Sequence, residues 1–174
     1  GLMISFIAQG SVDEAVSIAE VYKDTGSESQ ISQMVLLASM IKDGQTETFL
    51  NFVKNASEIT PILKDLLSAW IRMGLDDEVN ANRIFDKTAK VQGMGQFANF
   101  HRAMSQLAAG KIEQAQRTFD LIHSDQANPT RRSVIYHTKI LLSQSKFKEA
   151  QQLLEKWFGP TFDPEIEELY INAA

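Results

Sequence analysis

His101, His123 and His137 are the three imidazoles in a chain of 174 residues. An imidazole is the side chain best matched to acid–base work or metal ligation near neutral pH, so these positions bound the available chemistry. A metal centre would need a third ligand and supporting carboxylates, and the residues around each histidine offer no recognisable set. His123 ends an apolar-periodic stretch, where an imidazole interacts favourably with a helix C-terminus. The carboxylate pairs Asp13-Glu14, Asp76-Asp77 and Glu167-Glu168 stand near helix starts, where they complement the helix dipole without any catalytic role. Cysteine is absent, which excludes disulfides, thiolate metal sites and a cysteine nucleophile. No glycine-rich phosphate loop, nucleophile elbow or His-Glu-x-x-His helix occurs. The expectation is a protein without catalysis, cofactor or metal.

Hydrophobic residues make up 44% of the chain and charged ones 22%, a balance that suits a globular domain with a substantial core. The formal charge of −5 and a pI near 5.2 argue against a protein that grips phosphate backbones through Lys/Arg stripes. No apolar run approaches the roughly 18–20 residues of a membrane helix. The opening stretch 1–8 is apolar, but it lacks the basic n-region of a signal peptide and reads as part of a helix within a longer protein. A cysteine-free composition suits oxidising and reducing compartments alike, so cytoplasmic and periplasmic locations both fit.

The elements that position these residues repeat. Five segments align: Gly10–Ala15, Gly44–Phe49, Gly74–Val79, Gly110–Ala115 and Ser145–Ala150. Their starts are 34, 30, 36 and 35 residues apart, and an aliphatic stands three residues before each: Ile7, Ile41, Ile71, Leu107 and Leu142. A fixed period in this range marks stacked supersecondary units. After each start the apolar residues are spaced by 3, 4 and 3: Val12, Ala15, Ala19, Tyr22, then Ile112, Ala115, Phe119, Ile122, then Phe147, Ala150, Leu154, Trp157. That spacing puts each set on one face of a helix. In the third unit the same frame lands on Asp76, Val79, Arg83 and Asp86; moved by two it lands on Ala81, Phe85 and Thr88. The expectation is a two-residue insertion in the turn 74–77. Thr60-Pro61, Asn128-Pro129 and Asp163-Pro164 place a capping residue before a first-turn proline, while Gly93-Met94-Gly95 and Gly159-Pro160 break the chain between units.

These residues resemble the tetratricopeptide repeat (TPR), whose 34-residue unit has a glycine before its second helix, then acidic residues, then a small residue at a close helix contact. Gly10–Ala15 carries that pattern best, 110–115 and 145–150 carry it fairly, and Pro61 stands where the family places its inter-repeat proline. Phe49 departs from it, which implies helices held further apart in the second unit. The resemblance implies an all-α, right-handed α-solenoid of about five helix–turn–helix units (1–26, 27–57, 58–93, 94–126 and 127–160) with a flanking helix at 163–173, together one solenoid domain within a longer protein. By the same register His101 and His137, each following an aromatic residue, are equivalent residues of successive units and should lie near one another. Beyond the repeat the chain is similar to bacterial TPR proteins without an assigned activity, so no reaction is implied.

In TPR arrays the first helices line an inner groove. The register places Met34 and Ala38 there from the second unit, and Lys64, Ser68 and Arg72 from the third. The fourth supplies Phe97, Phe100 and Met104, and the fifth Arg132 and Lys139. An apolar patch flanked by cations suits a peptide with apolar anchors and acidic groups. A one-residue deletion in the fourth unit gives a competing register, in which Phe100, Ala103, Met104 and Leu107 are packing residues and Phe97 starts the helix. The family's carboxylate clamp needs Lys and Asn at groove positions where this chain has residues such as Ala38 and Ser68, so its binding of chaperone tails does not carry over. The expected function is a protein–protein interaction scaffold for a peptide or partner protein. The alternative is a pentatricopeptide-like array reading single-stranded RNA, for which Arg131, Arg132, Lys139, Lys146 and Lys148 form a local basic cluster. The acidic balance, and the lack of a regular base-reading pair of polar residues in each unit, count against it.

Overall fold

A computed structural model describes residues 2–27, 29–124, 129–158 and 163–173. All regular structure among them is helical. The helices are α1 (Leu2–Ala8), α2 (Val12–Asp24), α3 (Gln30–Lys42), α4 (Thr46–Asn55), α5 (Pro61–Gly74), α6 (Glu78–Ala89), α7 (Gly95–Ala108), α8 (Ile112–Ile122), α9 (Arg131–Ser143), α10 (Phe147–Phe158) and α11 (Pro164–Ala173).

One turn recurs between α1 and α2, α3 and α4, α5 and α6, α7 and α8, and α9 and α10. Its central residue lies in the left-handed region, with φ of 77° at Gly10, 69° at Gly44, 60° at Asp76, 74° at Gly110 and 59° at Ser145. At Gly110 the amide donates to the Leu107 carbonyl at 2.9 Å, and the next amide, Lys111, donates to Gln106 at 2.8 Å. The same two bonds close the other four turns. A left-handed residue of this kind satisfies the last carbonyls of a helix and reverses the chain.

The third turn corrects the sequence reading. Gly74 is the last residue of α5, and Asp76 takes the glycine's role, because a short carboxylate tolerates the left-handed region better than most side chains. The five central residues are therefore 34, 32, 34 and 35 apart, and no insertion follows Gly74. Counted from them, the residues at +5, +9 and +12 form the buried face of each second helix. They are Ala15 and Ala19; Phe49, Val53 and Ala56; Ala81, Phe85 and Thr88; Ala115, Phe119 and Ile122; and Ala150 and Leu154. Tyr22, Ile112 and Phe147, expected on that face, are exposed. Tyr22 lies in the last turn of α2, and the other two begin their helices, before the neighbouring helix covers them.

The caps follow local chemistry. Ser29 and Ser32 form a reciprocal capping box at the start of α3. Thr60 takes the N-cap position ahead of Pro61 but makes no side-chain capping bond, and Asp163 Oδ1 accepts the Glu165 amide at 3.1 Å at the start of α11. The start of α9 differs: Thr130 is its cap, accepting the Ser133 amide at 3.2 Å, so Pro129 lies ahead of the helix. Asn128 and Gly159-Pro160 lie outside the described residues.

The chain divides into two compact units, Gly1–Ile84 and Phe85–Ala174. The first packs Leu37, Phe49, Val53, Ala56 and Ile59 against Leu63, Leu67 and Ile71, with a second cluster of Ala15, Ala19, Val35 and Leu36 beneath Met3 and Phe6. Phe49 fills an alanine's place, and α3 and α4 contact each other less extensively than α7 and α8. The second unit packs Ala103, Phe119, Ile122 and Ile140 together, and joins α9, α10 and α11 through Ile135, Leu154, Ile166 and Leu169.

Candidate functional site

The first unit leaves an apolar groove uncovered. Helix α1 carries no charged residue and has no fully buried side chain, only Met3 and Phe6 half-buried, and α3 carries only Lys42, in its last turn. Ile4 and Ile7 from α1 face Gln30, Ile31, Met34, Val35 and Ala38 from α3 across a groove of about 310 Å³. A smaller recess of about 110 Å³, lined by Leu2, Met3, Ile4, Ile18, Tyr22 and Ile31, shares two of its walls. Leu2, Ile4 and Ile31 are 63%, 52% and 44% exposed, although water disfavours each of them. A contiguous apolar surface without a charge is what a partner's apolar side chains need. The sequence register placed Met34 and Ala38 here. Ile4, Ile7 and Ile31 were missed, and their signal was the absence of charge from 1–12 and from 29–41.

The other register residues separate by chemistry. Lys64 and Ser68 are half-buried on α5, and Arg72 Nη1 is held 2.6 Å from Asp77 Oδ2. Phe100 and Met104 pack against the core around Phe119, whereas Phe97, in the first turn of α7, is 44% exposed and meets the edge of the His101 ring at 4.5 Å. Burial and the nearby Arg132 hold the His101 pKa below its ordinary value. Arg132 is exposed on α9. Lys139 lies 3.3 Å from Glu165 Oε1, and Arg131 reaches Asp163 at 2.6 Å and Glu165 at 3.1 Å. Lys146 donates to Gln116 Oε1 at 2.7 Å. Three members of the basic cluster are thus already engaged with this chain's own acceptors.

The histidines add a contact that the sequence reading did not name, while Phe100 and Tyr136, the aromatics before His101 and His137, meet at 6.0 Å. The imidazole against His137 is that of His123, with the two Nδ1 atoms 2.9 Å apart. Their planes are 16° apart and their centroids 5.0 Å, close to the largest separation such a contact allows, so the rings meet edge to edge. The Phe119 ring covers both, 6.1 Å from His123 and 5.5 Å from His137. His123 does end a helix, but only 7% of it is exposed, and burial with help from Lys156 pushes its pKa down to about 4. Packing therefore holds it there, with the Phe119 and Trp157 rings 6.1 and 6.5 Å away. Burial, His123 and Lys146 push His137 down to about 3. Ser133 Oγ also lies 3.2 Å from His123 Nε2; its hydroxyl is buried and donates to the Thr130 carbonyl at 2.8 Å. Among the described residues no three His, Asp or Glu side chains gather as a metal ion would require, and no helix is long and apolar enough to cross a membrane.

Comparison with protein-family models, curated proteins and solved structures gives no match to this chain.

Proposed function

We propose that the chain is a stretch of right-handed, TPR-like α-solenoid that works as a non-catalytic scaffold and takes an apolar segment of a partner protein between α1 and α3. The groove of Ile4, Ile7, Ile31, Met34 and Ala38 carries this reading, since uncharged walls select side chains of their own kind. The five turns, with one left-handed central residue and the same two hydrogen bonds each, support the repeat architecture. The RNA alternative is disfavoured by ion pairs, because Arg131 and Lys139 would have to leave Asp163 and Glu165 before meeting a phosphate.

The test is the double substitution Ile4→Glu with Ile31→Glu. Both side chains are exposed, so the variant keeps its circular dichroism spectrum and melting temperature. It should lose the partners that the parent chain captures in a cross-linking pull-down. A folded variant that retains those partners removes the groove from the function.

A further inference from the structure

The hydrogen-bond distances between α8 and α9 point to one arrangement of protons on the histidine pair. Ser133 Oγ lies 2.8 Å from the Thr130 carbonyl, and only the hydroxyl proton can make that bond. Its lone pairs are left to face His123 Nε2 at 3.2 Å, so the serine accepts and His123 carries its proton on Nε2. A neutral His123 then has a bare Nδ1. The 2.9 Å contact to His137 requires His137 Nδ1 to be the donor. His137, neutral as well, has no proton left for its other nitrogen. That Nε2 is buried, has no hydrogen-bond partner among the described residues, and stands 3.5 Å from Asp120 Oδ1. Two sets of lone pairs face each other across this gap.

We propose that the gap between Asp120 and His137 is a proton-binding site, and that filling it completes a one-directional chain from Asp120 through His137, His123 and Ser133 to the Thr130 carbonyl, tightening the joint between α8 and α9. A solvent hydronium gives its proton to the Asp120 carboxylate: one hydronium O–H bond breaks, the carboxyl O–H forms, and water leaves. The carboxyl O–H then donates to His137 Nε2, and the local charge changes from −1 to zero. The Asp120 side chain is 60% exposed, so the proton reaches it directly, whereas the imidazoles are enclosed.

The surrounding charges favour this placement. Asp120 comes from α8, Lys146 from the α9–α10 turn and Lys156 from α10, and the Gln96 amide of α7 donates to the Ile122 carbonyl at 3.4 Å. Both lysines oppose a positive imidazole, while partial burial raises the Asp120 pKa against the opposing pull of Lys146. These charges favour a proton on the carboxyl side of the gap over one on the imidazole.

Asp120→Asn tests the site, because a side-chain amide is a permanent donor to His137 Nε2. At pH 7.5 the variant should melt about 2–4 °C higher than the parent chain, and the gain should vanish in a His137→Gln background. It should also shrink as falling pH gives the parent its own proton. If His137 instead donated from Nε2, the exchange would remove a charged acceptor and lower the melting temperature. An unchanged or lowered value overturns the proposal, as does a gain that persists in the His137→Gln background, since that gain would come from charge alone. Long-range ¹H–¹⁵N correlation of the parent reads the same point without a variant: His123 protonated on Nε2 and His137 on Nδ1 is the expected result, and the reverse refutes it.

Discussion

Acidification from pH 7 to pH 5 should destabilise the second unit, and the histidine pair sets the size of the effect. In the unfolded chain each imidazole titrates near 6.5, but in the fold His123 is held at about 4 and His137 at about 3. Between those values the unfolded chain binds more protons than the folded one, so stability is full above pH 6.5 and drains away as pH falls toward the folded values. The loss approaches about 1.4 kcal/mol per pH unit for each histidine, or about 4 kcal/mol for the pair between pH 7 and 5. That is a large part of the roughly 5–15 kcal/mol that holds a domain together. His101, also lowered, pulls the same way, while Asp120, raised, offsets part of the loss at the acid end. Asp77, Asp163 and Glu165 are lowered below their ordinary values and lose their contribution only at more acid pH, so the window isolates the histidines. Urea unfolding followed by Trp157 fluorescence in a Trp70→Phe variant reports the second unit alone, because Trp70 belongs to the first. A midpoint unchanged between pH 7 and 5, or imidazole resonances that titrate near 6.5 in the folded protein, would show that the pair is solvated and the packing reasoning wrong.

Two further substitutions test the repeat itself. Ser145 occupies the left-handed position at φ 59° that glycine fills in three of the other turns. Ser145→Gly should relieve about 1 kcal/mol of strain and raise the melting temperature by a few degrees; a fall would mean the hydroxyl has a role the turn geometry does not reveal. Ala115 is fully buried where α8 meets its neighbours. Ala115→Leu should cost about 1–3 kcal/mol by overpacking, read as a lower urea midpoint, and an unshifted midpoint would place that alanine away from a helix contact.

The repeat was legible because its signal is redundant. Gly10, Gly44 and Gly110 mark their turns through a backbone requirement that few residues meet, and the buried positions recur at fixed offsets behind them. The third turn was misread because the same requirement can be met by an aspartate. Gly74, two residues earlier, drew the alignment although it is an ordinary helical residue. Where glycine and a tolerant polar residue compete, the offset to the buried alanine and phenylalanine is the safer guide. Ala81 and Phe85 stand five and nine residues after Asp76, as Ala115 and Phe119 stand after Gly110.

The candidate sites were less legible, for a different reason. A groove wall is an apolar residue that nothing covers, and periodicity gives Ile31 and Leu37 the same apolar standing. Only the packed structure separates the side chain that is 44% exposed from the one that is 1% exposed. The histidine pair is harder still, since the register matched His137 with His101, its counterpart one repeat away. The nitrogen-to-nitrogen contact runs to His123, at the end of α8, because α9 packs on α8. His137 is thus brought against the turn residue that closes α8. Equivalence in a repeat says which residues play the same part; contact across a repeat joins residues that play different parts. The proton arrangement at Asp120, His137, His123 and Ser133 arises only from the second relation, and the Asp120→Asn exchange tests it at a position the repeat pattern leaves unmarked.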